Sequence, residues 1–261
     1  MRGFEYLRVA GAAEAVEAVS ADPDSSYLAG GTTQIDLMKD GVLAPTRLVD
    51  ITRLPLRGVT RSGESILIGA LSTMEHVAAD PGVAGIPVLR QALLGGASVQ
   101  LRNAATVGGN LLQRTRCRYF RDPQVPCGKR VREQACSALF GAHRMHAILG
   151  ASEHCIATHA SDLAVALAAL DAQVQVQGWD GTRTVPVTEF YRVPGDTPDV
   201  EHVLAHGELI TAVEVPVPPA GARSTYLKVR DRASYEFALA SVAAVLLVAD
   251  GVIHDVRLAL G

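Results

Sequence analysis

Thr106-Val107-Gly108-Gly109-Asn110-Leu111-Leu112-Gln113 runs without a break into a segment, Arg114 to Cys155, that holds every cysteine of the chain: Cys117, Cys127, Cys136 and Cys155. Between Arg114 and Arg132 the same segment carries Arg114, Arg116, Arg118, Arg121, Lys129, Arg130 and Arg132 against one acid, Asp122, although the whole chain has a formal net charge of −3. Local positive charge and four thiols behind a Gly-Gly turn need a joint explanation. Their chemistry suggests a turn that grips phosphate, followed by a loop that ligates a metal centre. Glycine suits such a turn because it adds no Cβ and tolerates positive φ, so backbone N–H groups can approach an anion closely.

Upstream, a second glycine pair stands in a similar setting. Ala10 to Ser20 places Ala12, Ala13, Val16 and Val19 at helical spacing, and Ala21-Asp22-Pro23-Asp24 ends that helix with turn chemistry. Tyr27-Leu28-Ala29 reads as a short strand that stops at Gly30-Gly31-Thr32-Thr33-Gln34; Ile35 to Lys39 reads as a helix and Arg47 to Ile51 as another strand. Strand, glycine turn, helix and strand is a weak signal alone, since Gly-Gly pairs also occur in plain turns. Roughly 80 residues separate the two pairs, and two such turns can cradle one diphosphate, as in a flavin dinucleotide, between them. Between them, Ser65 to Gly69 reads as a buried strand, Ser72-Thr73-Met74-Glu75 as a capping box with Ser72 as the cap, and Pro87 to Leu94 as a helix.

Downstream, Ser161-Asp162 opens a helix with Leu163, Ala166, Leu167 and Leu170 on its apolar side. Gln173 to Gln177 and Thr184 to Val187 form a hairpin about Asp180-Gly181. Further strands are read at Glu208 to Val217, Thr225 to Val229 and Val252 to Leu260, with an apolar run from Ala238 to Val248. The chain stops at Gly261 directly after a regular strand, which suggests that a covering layer or truncated region should follow.

The cysteines are separated by nine, eight and eighteen residues, which matches neither a zinc ribbon nor the closely spaced ferredoxin run. Four cysteines are the full ligand set of a [4Fe–4S] cluster or of structural zinc, and long separations are harmless when the loop itself wraps the metal. Surrounding cations favour an anionic centre, because positive charge stabilises thiolates. The competing readings are two disulfides or four unconnected core thiols. His143, His146, His154 and His159 flank the loop and are weaker candidates as ligands.

Composition excludes several function classes. With 261 residues, 48% hydrophobic, the chain can bury a substantial core as one large domain or two smaller ones. The slightly negative charge argues against a general nucleic-acid binder. Met1 to Tyr6 has no apolar signal region, and the longest apolar run, Phe237 to Ala249, is too short for a membrane span. Export to the periplasm would depend on a partner; otherwise the chain is expected in the cytoplasm. No nucleophile–base set or paired carboxylates are recognisable, so no catalytic residue is assigned. A chain that grips a cofactor and a metal centre without such groups reads as an electron carrier, because the cofactor supplies the redox chemistry.

Leu28 to Gln34 with Leu37-Met38-Lys39, Gln100-Leu101-Arg102-Asn103 with Thr106 to Asn110, and Lys228 to Ser234 together resemble the FAD-binding medium subunit of the molybdenum hydroxylases, a family that includes xanthine dehydrogenase and carbon monoxide dehydrogenase. Leu111 to Cys117 with Cys127, Cys136 and Cys155 is similar to the subgroup whose flavin subunit carries an extra [4Fe–4S] cluster, the periplasmic aldehyde oxidoreductases and, more distantly, the 4-hydroxybenzoyl-CoA reductase β subunit. The resemblance implies an α+β, two-subdomain FAD-binding fold of the vanillyl-alcohol oxidase type. Residues 1–55 would be the N-terminal α/β subdomain, 56–222 the second subdomain with the cysteine loop inserted at about 111–156, and 223–261 the incomplete start of a C-terminal domain.

By the same resemblance, Leu28, Ala29, Gly30, Gly31, Thr32, Thr33, Gln34, Ile35, Thr106, Gly108, Gly109 and Asn110 would hold the FAD diphosphate and nearby groups. Asp162 would contact the adenosine side or the ribose, Ile210 would pack near the adenine, and Lys228 would sit near the flavin end. Cys117, Cys127, Cys136 and Cys155 would ligate the cluster, as a structural element or as a side branch of the electron path. The partners implied are a molybdopterin-binding large subunit, a [2Fe–2S] small subunit and an external electron acceptor. The expected activity is electron transfer within a heterotrimeric, aldehyde-oxidising molybdenum enzyme. The alternatives are an acyl-CoA reductase flavin subunit, or a non-redox, zinc-stabilised dinucleotide-binding protein.

Overall fold

The computed structural model describes residues 1–261. Three sheets follow one another along the chain. The first is parallel, with strands β1 (Glu5–Arg8), β2 (Ser25–Leu28) and β3 (Arg47–Asp50) in the order β1-β3-β2. Helix Ala12–Ser20 buries Ala15, Val16 and Val19 against this sheet, at the spacing that puts them on one helical face. The strand at Glu5–Arg8 was not anticipated, because its residues are nearly all exposed and carry no hydrophobic alternation.

The second sheet is antiparallel: β4 (Val59–Ser62), β5 (Ser65–Gly69), β6 (Gln173–Gly178), β7 (Gly181–Pro186) and β8 (Leu209–Pro216), ordered β4-β5-β8-β6-β7. Strand β8 lies at the centre and joins two stretches far apart in sequence, with Ile68 opposite Val213 on one side and Val174 opposite Val213 on the other. One face is apolar, and Ile66, Ile68, Val174, Val176, Val213 and Val215 feed the largest core together with helices Pro87–Gly95 and Asp162–Ala169. The third sheet, β9 (Arg223–Val229), β10 (Ala240–Ala249) and β11 (Val252–Leu260), is antiparallel in the order β11-β10-β9. It contributes Tyr226, Ala243 and Val245 to the same core, while Val256, Leu258 and Leu260 remain exposed. No helix is long and apolar enough to cross a membrane.

Sheets and helices are both present, as the α+β reading expected, but two local readings are corrected. Thr73, not Ser72, caps helix Met74–Ala79, its hydroxyl accepting from His76 N. The Ser72 hydroxyl is taken by the backbone N–H and carbonyl of Gly58, a tertiary contact that the local spacing could not reveal. The return strand of the hairpin ends at Pro186, one residue earlier than read, because Val187–Phe190 turns into a short helix whose Val187 and Phe190 are buried.

The first sheet is fastened at its end by Asp50, which is only 3% exposed. Burial alone would raise this carboxyl, but donation from Thr52 N at 2.8 Å, the Tyr6 hydroxyl and Arg8 Nε at 2.8 Å outweighs it and holds the group well below the usual carboxylate range. Asp50→Asn should therefore cost about 1–3 kcal/mol at neutral pH. In urea titrations across pH, the wild-type advantage should be complete above the unfolded carboxyl value of about 3.9 and shrink as pH falls toward the lower folded value. An advantage independent of pH would contradict this account.

Candidate functional site

The chain leaves β2 at Leu28 and reaches helix Gln34–Lys39 through the first glycine pair. The N–H groups of Gly30, Gly31, Thr32, Thr33 and Gln34 find no acceptor within the protein. Successive unpaired amides leading into a helix form a concavity suited to an anion. Each glycine has its own reason. A Cβ on Gly30 would lie 1.9 Å from the Ala104 carbonyl oxygen, and Gly31 has φ +72°. Leu28 Cδ1 and Ile35 Cγ1 lie 3.6 and 3.2 Å from the Cβ position of Gly31, so those two residues pack against the glycine. The Gln34 side-chain Nε2 is buried without a partner.

The second glycine pair corrects its sequence reading. Gly108 and Gly109 belong to a short helix, Val107–Leu111, capped by the Thr106 hydroxyl, which accepts from Gly109 N at 3.2 Å. Gly108 N already donates to Ala70 O, so this pair does not repeat the row of free amides in the first. Gly108 serves close packing, because a Cβ there would come within 3.1 Å of the Ala70 side chain. Asn110 is held by Ser161, whose hydroxyl donates to its Oδ1 at 2.6 Å while accepting from Ala164 N.

Two adjoining cavities unite most of the expected residues. One, about 350 Å³, is lined by Ala29 to Gln34, Thr106, Gly108, Gly109 and Ile210. The other, about 290 Å³, is lined by Gly109, Asn110, Asp162 and Lys228, and shares Thr32, Thr33 and Gly109 with the first. Leu28 and Ile35 line neither cavity and act from behind the loop. Asp162 shares its cavity with Lys228 and not with Ile210.

Lys228 Nζ lies 2.8 Å from Asp162 Oδ2 and donates to Gly95 O, and both ionic side chains are under one-tenth exposed. The Tyr226 hydroxyl donates to Asp162 Oδ1 at 2.5 Å, and burial, with the Asp162 charge, raises that phenol above its ordinary value. Sequence reading missed Tyr226, which one-face alternation along β9 with Lys228 could have offered. The buried Arg102 of the Gln100 to Asn103 motif binds the carbonyls of Leu94, Gly96 and Ala97 and pairs with Glu75 at 2.7 Å. It thereby braces a loop in which Ala97 takes φ +48° and lines the cavity.

The cysteine loop is stitched to the body by its own charges. Arg116 and Arg121 pair with Asp36, Arg121 also with Asp40, and Arg114 and Lys129 with Glu201. Arg130 donates to the carbonyls of Tyr119, Phe120 and Val125. The cations that suggested an anionic centre are thus largely committed to protein partners. All four cysteines are free thiols, which removes the disulfide reading.

Cys127 and Cys155 are buried, and Cys117 and Cys136 are half-buried. Burial pushes the Cys117 thiol up, the amides of Phe120 and Tyr119 oppose the rise, and Cys127 and Cys136 add to it. The Cys155 thiol is likewise raised by burial, opposed by the Ala157 amide and Lys129, with Cys136 and Cys127 as further neighbours. Cys127 and Cys136 therefore lie within electrostatic reach of both Cys117 and Cys155. No three His, Cys, Asp or Glu side chains converge where a single ion would sit. Of the flanking histidines, His146 comes within 3.2 Å of Cys117 Sγ, whereas His154 faces Asp196 and His159 stacks on Tyr191.

Residues 2–218 match the family described as the FAD binding domain in molybdopterin dehydrogenase. The chain is 50% identical over 250 residues to the aldehyde oxidoreductase FAD-binding subunit PaoB of Escherichia coli, a match covering 94% of this chain and 78% of that protein. It is 29% identical over 260 residues to the glyceraldehyde dehydrogenase medium chain of Sulfolobus acidocaldarius, covering 99% and 75% of the two chains. Among solved structures, a chain of carbon monoxide dehydrogenase from Hydrogenophaga pseudoflava aligns with a TM-score of 0.75 at 26% identity, over 99% of this chain and 74% of that one. With its mixed α/β architecture and its glycine-lined clefts, the chain belongs to the family of FAD-binding domains in molybdopterin dehydrogenases, the medium flavin subunits of the molybdenum hydroxylases.

Proposed function

We propose that this chain is the FAD- and [4Fe–4S]-carrying subunit of an aldehyde-oxidising molybdenum enzyme. FAD would lie across the two adjoining cavities, with its diphosphate on the free amides of Gly30 to Gln34. Those amides carry the reading, since an unsatisfied row of donors beside a partnerless Gln34 Nε2 is what a diphosphate would satisfy. Thr106, Gly108, Gly109 and Asn110 would form the opposite wall, Ile210 would pack against the adenine, and Asp162 with Lys228 would face the flavin end. The proposed units are 1–55, 56–222 and 223–261, each containing one of the three sheets.

The donor chemistry suits a [4Fe–4S] cluster on Cys117, Cys127, Cys136 and Cys155. Four free thiols in one loop supply its complete ligand set, and backbone amides directed at Cys117 and Cys155 are the kind of donors that tune cluster sulfurs. Bound FAD would supply two-electron and one-electron redox chemistry; the protein's part is to bind and orient it and to shield it from water. Partner subunits would bear the molybdopterin and the [2Fe–2S] clusters and deliver electrons, which leave to an external acceptor. The 50% identity to an aldehyde oxidoreductase FAD-binding subunit supports the aldehyde assignment.

Purified protein should carry about one FAD, visible in its absorption spectrum. Gly30→Ala should lose that flavin, because its Cβ would have to displace the Ala104 carbonyl; full flavin occupancy in this variant would sink the placement. Cys127→Ser should reduce iron content and the paramagnetic signal of the reduced cluster. Zinc without iron in the parent protein would overturn the cluster assignment.

A further inference from the structure

Arg116 stands where the two cofactor sites meet. It is the residue immediately before Cys117, yet it lines the same cavity as Thr32, Thr33, Asn110 and Lys228. Its guanidinium lies 4.9 Å from the centre of the Phe237 ring, a cation–π contact that holds the group at the cavity wall. The other cations of this cavity are matched. Lys228 is paired with Asp162 at 2.8 Å, and Arg232 with Glu236 at 3.3 Å.

Arg116 is not matched in the same way. Its only acid is Asp36, at 3.2 Å, and Asp36 lies nearer to Arg121, at 2.7 Å. Arg121 has a second acid in Asp40 and Arg116 has none; the Arg116 Nε, like that of Arg121, is buried without a partner, but Arg116 is the one of the two that lines this cavity. A half-buried guanidinium with an idle donor, lining the same cavity as a loop that offers free amides, is complemented by an anion.

We propose that Arg116 is a further FAD-binding residue, contributed by the cysteine loop, that donates to the anionic diphosphate held by the Gly30 to Gln34 amides. This rests on the flavin reading above. Because Arg116 adjoins Cys117, flavin affinity then depends on how the loop is folded about its cysteines, which gives the inserted segment a function at the flavin site apart from electron transfer.

The test uses the full-length protein, stripped of flavin and titrated with FAD by fluorescence quenching, with iron content measured in parallel. Arg116→Gln should weaken FAD binding by about ten- to a hundredfold, the loss of one charge-assisted hydrogen bond, and Arg116→Lys should recover part of it. Asp36→Asn separates direct contact from a merely structural tie. If Arg116 only anchors the loop through Asp36, Asp36→Asn should weaken FAD binding as Arg116→Gln does; if Arg116 contacts FAD, freeing it from Asp36 should leave binding unchanged or tighter. Should Arg116→Gln also lose iron, the Asp36→Asn result decides. Unaltered FAD affinity in Arg116→Gln, or parallel weakening in Asp36→Asn, would overturn the assignment. A parent protein that binds no FAD would instead overturn the flavin reading itself.

Discussion

The carbonyl of Ala104 sits where a side chain on residue 30 would have to be, and the arrangement of the glycine-lined clefts follows from that contact. Only a glycine lets the loop after β2 press this closely on the segment that leads into Thr106. The contact joins the first, parallel sheet to the larger antiparallel body and leaves a row of amides facing the seam. Gly108 repeats the device one layer deeper, against Ala70, which docks its short helix onto the end of β5. The glycines thus do two kinds of work: the first pair exposes donors, and the second admits close packing.

Charge organises the inserted loop. In a chain with net charge −3, a cluster of seven cations reads naturally as a surface awaiting an anion. Most of them instead find carboxylates or carbonyls on the body, with Asp36, Asp40 and Glu201 acting as anchors. The loop has little regular structure, so these ion pairs, together with the small core of Leu37, Phe120 and Cys127, are what orient its thiols. Partly buried charges at such a seam cost desolvation energy, which makes their geometry more informative about position than about stability.

A buried ion pair marks the far end of the clefts. Asp162 and Lys228 come from different elements, helix Asp162–Ala169 and β9, and meet beneath a loop that Arg102 braces through three carbonyl groups. With Tyr226 donating to the same carboxylate, Asp162 has a complete set of partners inside the core. Fully satisfied polar networks of this kind fix local geometry, because an unpaired member would pay its desolvation cost uncompensated.

Much of the molecule was legible in the amino-acid sequence. Helical spacing over Ala12–Ser20, the alternation at Gln173–Gly178 and the turn at Asp180-Gly181 depend on near neighbours, so local pattern located them to within a residue or two. The motifs carrying Gly30, Thr106 and Lys228, with the four cysteines, were also sufficient to indicate the flavin family. Tertiary structure alone decided the rest. That Ser72 bonds Gly58 instead of capping a helix, that Gly108 and Gly109 are helical, and that Asp162 joins Lys228 and not Ile210 are outcomes of contacts between distant segments. The commitment of the loop cations to Asp36 and Glu201, and the placement of Arg116 in the cavity of Thr32 and Lys228, belong to the same class, since charge and spacing in a sequence say which groups are present and only the folded chain says which of them meet.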